Sequence, residues 1–93
     1  MNYSLLTIIL YGGMVMSTLA QINFESDVLP TSAGDLTMTF IGHGTLMFGL
    51  GGKTIHVDPY GKLADYAALP KADAIFITHD HADHLDRAAI AEI

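Results

Sequence analysis

Between Asp35 and Pro59 the chain alternates in a way that suits short β-strands and little else. Leu36, Met38 and Phe40 alternate with Thr37 and Thr39, the two-residue period of a half-buried strand. Gly42-His43-Gly44 interrupts the pattern and Thr45 to Leu50 resumes it. Gly51-Gly52 then supplies the positive φ of a tight hairpin turn. Lys53 to Val57 returns as a third strand with Ile55 and Val57 on one face, so His56 points to the other and reads as structural. Asp58-Pro59 ends this strand, because proline cannot donate to a ladder.

The rest of the chain is arranged around that hairpin. Residues 21–34 show no period and contain Pro30, Ser32 and Gly34, which predicts a linker or lead-in with a short edge strand at Ile22–Phe24. Tyr60 to Pro70 turns Ala/Leu-rich and predicts a short helix over Leu63–Leu69, closed by Pro70. Ala74-Ile75-Phe76-Ile77 is too short for a helix and reads as a strand buried on both faces, interior to a sheet covered by helices. Asp86 is placed to cap a final helix from Arg87, whose Ala88, Ala89, Ile90 and Ala91 favour it. Strands and helices mixed in this way give an α/β class.

Composition removes several functions. The 93 residues suffice for one small domain. With no cysteine there are no disulfides, thiolate metal sites, iron–sulfur clusters or cysteine nucleophiles. Ten acidic against four basic side chains give a net charge of −6, so no nucleic-acid partner is expected. No charged side chain precedes Glu25. Leu5 to Ala20 is apolar, shorter than the ~20 residues of a spanning helix and weakened by Gly12-Gly13. It matches the apolar core of a secretory signal, with small Thr18 and Ala20 before Gln21, although no Lys or Arg precedes it. Residues 1–20 are therefore expected to be a signal peptide, residues 21–34 the lead-in and residues 35–93 the domain, in a secreted or periplasmic protein. An uncleaved anchor and a buried helix are the alternatives, and membrane contact is expected only through this segment.

Three of the five histidines fall in His79-Asp80-His81-Ala82-Asp83-His84. His79, His81 and Asp83 stand two apart, so an extended or gently turning backbone presents them on one side, and His84 joins them only if the chain turns. Imidazole nitrogen and carboxylate oxygen suit zinc and similar divalent ions. The competing reading is a solvated acidic turn. The cluster follows the C-terminal end of a predicted strand, where α/β sheets place ligands, and that favours metal. Asp80 points away from its histidine neighbours in an extended loop and reads as a turn or supporting residue.

The order strand, Gly-His-Gly, hairpin, strand ending Val57-Asp58-Pro59, then Ile77-Thr78-His79-Asp80-His81-Ala82-Asp83-His84-Leu85-Asp86 resembles the metallo-β-lactamase fold superfamily. Its H-x-H-x-D-H signature is filled at His79, His81, Asp83 and His84. The stretch from Ile41 to Tyr60 looks most like the branch of ascorbate-6-phosphate lactonase-like proteins and phosphodiesterases of the N-acylphosphatidylethanolamine phospholipase type. The resemblance implies the N-terminal part of a four-layer αββα sandwich, incomplete at this length. It implies two divalent metal ions, zinc by default with manganese or iron open, the first held by His79 and His81 and the second by Asp83 and His84. Hydrolysis by a metal-bound hydroxide is implied, since a bound ion lowers the pKa of water to about 7. Asp83 would also orient or deprotonate the attacking water. Asp58 would support the histidine loop, and His43 would lie at the rim of the active site.

The family takes its remaining ligands, two histidines and a bridging aspartate, from later segments that this chain does not match. His43 or His56 could substitute only in a different fold. The native protein is therefore expected to continue beyond Ile93, and these 93 residues alone to bind zinc weakly without turnover. The expected function is a metal-dependent hydrolase acting on a phosphodiester, lactone or other ester in a small-molecule or lipid-like substrate. The alternative is a non-catalytic metal-binding or truncated interaction protein.

Overall fold

The computed structural model describes residues 23–93, so the expected signal peptide lies outside the described residues. Five strands form one sheet in sequence order: β1 (Glu25–Thr31), β2 (Gly34–Gly42), β3 (Thr45–Leu50), β4 (Lys53–Val57) and β5 (Ala74–Phe76). The first four pair antiparallel and β5 joins β4 in parallel. One short helix, α1 (Arg87–Ala91), follows the histidine loop. No described helix is long and apolar enough to cross a membrane.

Most of residues 21–34 is not linker: Glu25–Thr31 pairs along its length with β2, from Glu25 opposite Phe40 to Thr31 opposite Gly34. The strand lies at the sheet edge and every residue in it is exposed, which removes the alternation that announces a strand. An edge also tolerates Pro30, whose missing N–H can face away from the ladder. The chain turns over Ser32 and Ala33, with Gly34 at φ 115°.

The β2–β3 register shifts between Phe40 and Gly42, and this bulge reverses the expected burial at the strand end. Ile41 enters the core while Phe40 is left 40% exposed. The β3–β4 hairpin turns at Gly51 (φ 58°) and Gly52 (φ 81°), the double positive φ of a type I′ turn.

The β4–β5 crossover holds a single 3₁₀ turn, Tyr66–Ala68, in place of the helix expected over Leu63–Leu69. Asp65 sits in extended conformation and its carboxylate caps the turn at Ala67 N, so helical geometry starts only there. Leu69, before Pro70, is again extended, as the proline ring requires. Ile41, Ala64, Tyr66 and Ala89 form the core, with Phe24, Met47, Leu63, Leu69 and Ile93 packed against it. His56 is fully buried; its Nε2–H donates to the Pro70 carbonyl at 2.9 Å and its ring meets Tyr66 edge-on.

β5 is also not what its composition implied. It is three residues long, bounds the sheet among the described residues, and leaves Phe76 58% exposed. Helix α1 forms as expected: Asp86 Oδ1 accepts from Ala88 N and Ala89 N, and its Oδ2 accepts from Gly61 N at 2.8 Å. One carboxylate thus caps the helix and ties it to the crossover.

Candidate metal centre

The parallel pairing of β4 and β5 brings Asp58 beside the start of the histidine loop. Val57 pairs with Phe76, and the Asp58 amide continues the ladder to the Phe76 carbonyl at 2.9 Å. Asp58 is 1% exposed and held at φ 47°, with its carbonyl accepting the buried Thr45 hydroxyl at 2.8 Å. Its carboxylate is saturated from the loop. Oδ1 accepts the Thr78 amide at 2.7 Å, while Oδ2 accepts the Thr78 hydroxyl at 2.6 Å and His84 Nδ1 at 2.8 Å. Burial pushes this carboxyl up, but the Thr78 hydroxyl and amide together with His84 outweigh it and hold it below its ordinary value.

An ionised carboxylate only accepts, so these contacts decide where the imidazole protons sit. His84 must carry its proton on Nδ1. The Thr78 hydroxyl donates its one O–H to Asp58, so its oxygen can only accept from His79 Nδ1, at 2.8 Å. His79 therefore also carries its proton on Nδ1. Both rings are left with the Nε2 lone pair free, the form in which a histidine binds metal.

The loop turns as His84 requires: the His84 and Leu85 amides both bond the His81 carbonyl, at 2.9 and 2.8 Å. The turn stacks the His84 ring on His79, with centroids 3.9 Å apart, and His81 packs edge-on against His79 at 4.6 Å. His79 and His81 are exposed and His84 is half-buried. Gly44 backs the His84 ring closely: a Cβ there would stand 3.0 Å from His84 Cε1.

Asp83 meets the Gly-His-Gly corner. His43, at φ 56°, donates from Nε2 to Asp83 Oδ2 at 2.7 Å, and the same oxygen lies 3.6 Å from His84 Nε2. The His43 hydrogen bond is the main cause holding the Asp83 carboxyl below its ordinary value, with its own backbone amide and the electrostatics of His84 and His43 adding to it against a modest effect of burial. Among the described residues, the non-glycine positions with positive φ are His43 and Asp58, and both belong to this site.

The structure thus gathers His43, Asp58, His79, His81, Asp83 and His84 at one end of the sheet. Asp80 is exposed in the loop. Thr78, Thr45 and Gly44 have a place in the site that the sequence does not assign them; for Thr78 the signal is its position between the strand and His79. A cleft of about 530 Å³ lies instead between residues 61–67 and α1, and no histidine lines it. The donor set fits a divalent transition metal: His43, Asp83 and His84 each offer a ligand atom, all within 4.8 Å of one another.

Comparison with known proteins agrees with this chemistry. Residues 37–93 match the family described as the beta-lactamase superfamily domain, and the chain belongs to that family. Over 64 residues it is 42% identical to a UPF0173 metal-dependent hydrolase of Flavobacterium johnsoniae, covering 61% of this chain and 28% of the relative. Its identity to a UPF0173 metal-dependent hydrolase of Shouchella clausii is 39% over 62 residues, 61% of this chain and 27% of the relative. The chain is also similar to the crystal structure of a protein assigned as a metal-dependent hydrolase from Parabacteroides distasonis. The TM-score is 0.74 at 49% identity, covering 76% of this chain and 33% of that one. The sheet is an incomplete, N-terminal part of a metallo-β-lactamase fold, and the chain spans about a third or less of each of these relatives.

Proposed function

We propose that the chain contributes the first ligand group of a dinuclear metal-dependent hydrolase. The observation that carries this reading is the Asp58 relay, which gives His79 and His84 the same tautomer and leaves both Nε2 atoms without a proton. A solvated acidic turn needs no buried carboxylate fixing two protons. His79 and His81 would hold one ion, and Asp83 and His84 the other. Bound ions would acidify water to near neutrality and polarise the scissile group. Asp83 accepts a hydrogen bond at the oxygen nearest His84 Nε2, where it can orient a water or take its proton. Asp58 acts through the rings it orients. The substrate class that follows is a phosphodiester, lactone or related ester, small or lipid-like.

The test is hydrolysis of a phosphodiester and of a lactone reporter by the protein carrying this segment. Turnover is expected to stop on chelation, return with Zn²⁺ or Mn²⁺, and vanish in His81→Ala. Turnover indifferent to chelator and to His81→Ala would overturn the proposal. The 93 residues alone are expected to bind metal weakly and to turn over neither reporter.

A further inference from the structure

We propose that Thr45 is a positioning residue of the metal centre, its buried hydroxyl clamping the Asp58 backbone in the conformation that aims the carboxylate at the histidine loop. The proposal rests on the metal-centre reading above and adds to it the group that sets Asp58 itself. Thr45 and Asp58 are each 1% exposed, and the Thr45 hydroxyl donates to the Asp58 carbonyl at 2.8 Å.

The strand register explains why a side chain is needed there. β3 and β4 pair Phe48 with Ile55, Met47 with His56 and Leu46 with Val57. One step further the same register sets Thr45 opposite Asp58, but the ladder stops at Leu46 and Val57. Asp58 has left the strand with φ 47°, and the Thr45 side chain meets its carbonyl. On the other side the Asp58 amide is held by the Phe76 carbonyl at 2.9 Å. The two peptide groups flanking the Asp58 Cα are thus fixed, one from each neighbouring strand.

This conformation does not hold itself. Aspartate tolerates positive φ better than most residues. Pro59 follows, however, and the residue before a proline is pushed towards extended backbone at negative φ. Nor does a tight hairpin demand a left-handed residue here, because β4 ends at Val57 and β5 starts only at Ala74. Such a residue persists where its surroundings over-determine it, and the bonds to Thr45 and Phe76 do so. Without the hydroxyl, the buried carbonyl loses its partner and Asp58 is free to swing towards extended backbone. The carboxylate then leaves the Thr78 hydroxyl and His84 Nδ1. Thr45 therefore acts through Asp58, two hydrogen bonds away from the His84 ring.

The competing role is purely structural, a hydroxyl that satisfies a buried carbonyl at the end of the sheet. Imidazole tautomers separate the two. They are read in the metal-free full chain by long-range proton–nitrogen NMR, with zinc affinity taken from chelator competition. Wild type is expected to show His79 and His84 protonated on Nδ1, and His56 protonated on Nε2 by its bond to Pro70. Thr45→Val keeps the shape and loses the donor. It is expected to give His84 a mixture of tautomers and roughly tenfold weaker zinc binding, the lower end of what loss of an outer hydrogen-bond partner costs, with His56 unchanged. Thr45→Ser keeps the hydroxyl and is expected to restore the tautomer and the affinity. Should Thr45→Val lose the His56 signal and with it the fold, Thr45→Ala against Thr45→Ser makes the same comparison, since both lack the methyl and differ in the hydroxyl. A single Nδ1–H tautomer at His84 in folded Thr45→Val or Thr45→Ala would overturn the clamp, as would Thr45→Ser behaving like Thr45→Ala. If the tautomers respond as expected but wild type binds no zinc, the clamp on Asp58 stands and the metal-centre reading falls.

Discussion

Asp58→Asn separates the chemistry of the relay from its packing. The side chain is 2% exposed and accepts three hydrogen bonds of 2.6–2.8 Å, so asparagine fills the same space with one oxygen replaced by a two-proton donor. With Oδ1 kept on the Thr78 amide, the new NH₂ faces the Thr78 hydroxyl and His84 Nδ1. Both partners must then accept. His84 moves its proton to Nε2, and the Thr78 hydroxyl, turned about, donates to His79 Nδ1 and sends that ring's proton to Nε2 as well. Two metal-binding lone pairs are blocked by one substitution. Flipping the amide instead sets NH₂ against the Thr78 N–H, which leaves a buried donor unpaired. Hydrogen bonds to a charged group contribute ~1.5–3 kcal/mol against ~0.5–1.5 for neutral ones, so the stability loss should be about 1–2 kcal/mol. Loss of such a supporting partner lowers metal affinity by roughly 10–100-fold. Asp58→Ala, which strands all three donors, should cost about 3 kcal/mol or more. Urea unfolding without metal and chelator competition with Zn²⁺ give the two quantities separately. If Asp58→Asn binds Zn²⁺ as tightly as wild type, the tautomer argument is wrong.

Two further outcomes test neighbouring contacts. Gly44→Ala places a methyl group against a ring that Asp58 anchors, so zinc affinity should fall several-fold with little change in circular dichroism. Asp86→Ala removes the α1 cap and the Gly61 tether and should cost roughly 1–2 kcal/mol in a urea or thermal melt. The Asp86 carboxyl is held down chiefly by the Gly61 amide, with the Ala89 and Ala88 amides outweighing burial alongside it. Its contribution is therefore fully present above the unfolded value of about 3.9 and is lost as pH falls through the lower folded value. Wild type should accordingly lose this part of its stability in acid, and Asp86→Ala should show a shallower loss over the same window.

Much of this arrangement is legible in the sequence where local chemistry decides it. The Gly51-Gly52 hairpin, the Asp86 cap and the side of β4 that His56 occupies follow from φ requirements, capping and a period of two. Glu25–Thr31 is hidden because an edge strand with no buried face has no alternation to show. Leu63–Leu69 fails as a helix because Asp65 and Pro70 confine helical geometry to one turn, which composition cannot weigh. Phe40 and Ile41 exchange roles through a bulge set by pairing with β3. In the site, the H-x-H-x-D-H spacing announces metal, but the Thr78 relay and the His43–Asp83 contact depend on the parallel β4–β5 register and on a left-handed histidine. Neither is a property of local spacing.

The most direct test of the metal centre is anomalous diffraction at the zinc edge from crystals grown with Zn²⁺. A zinc peak is expected within bonding distance, about 2.0–2.2 Å, of Asp83 Oδ2 and His84 Nε2, and a second against His79 Nε2 and the His81 ring. Crystals with zinc elsewhere and none at this loop would contradict it.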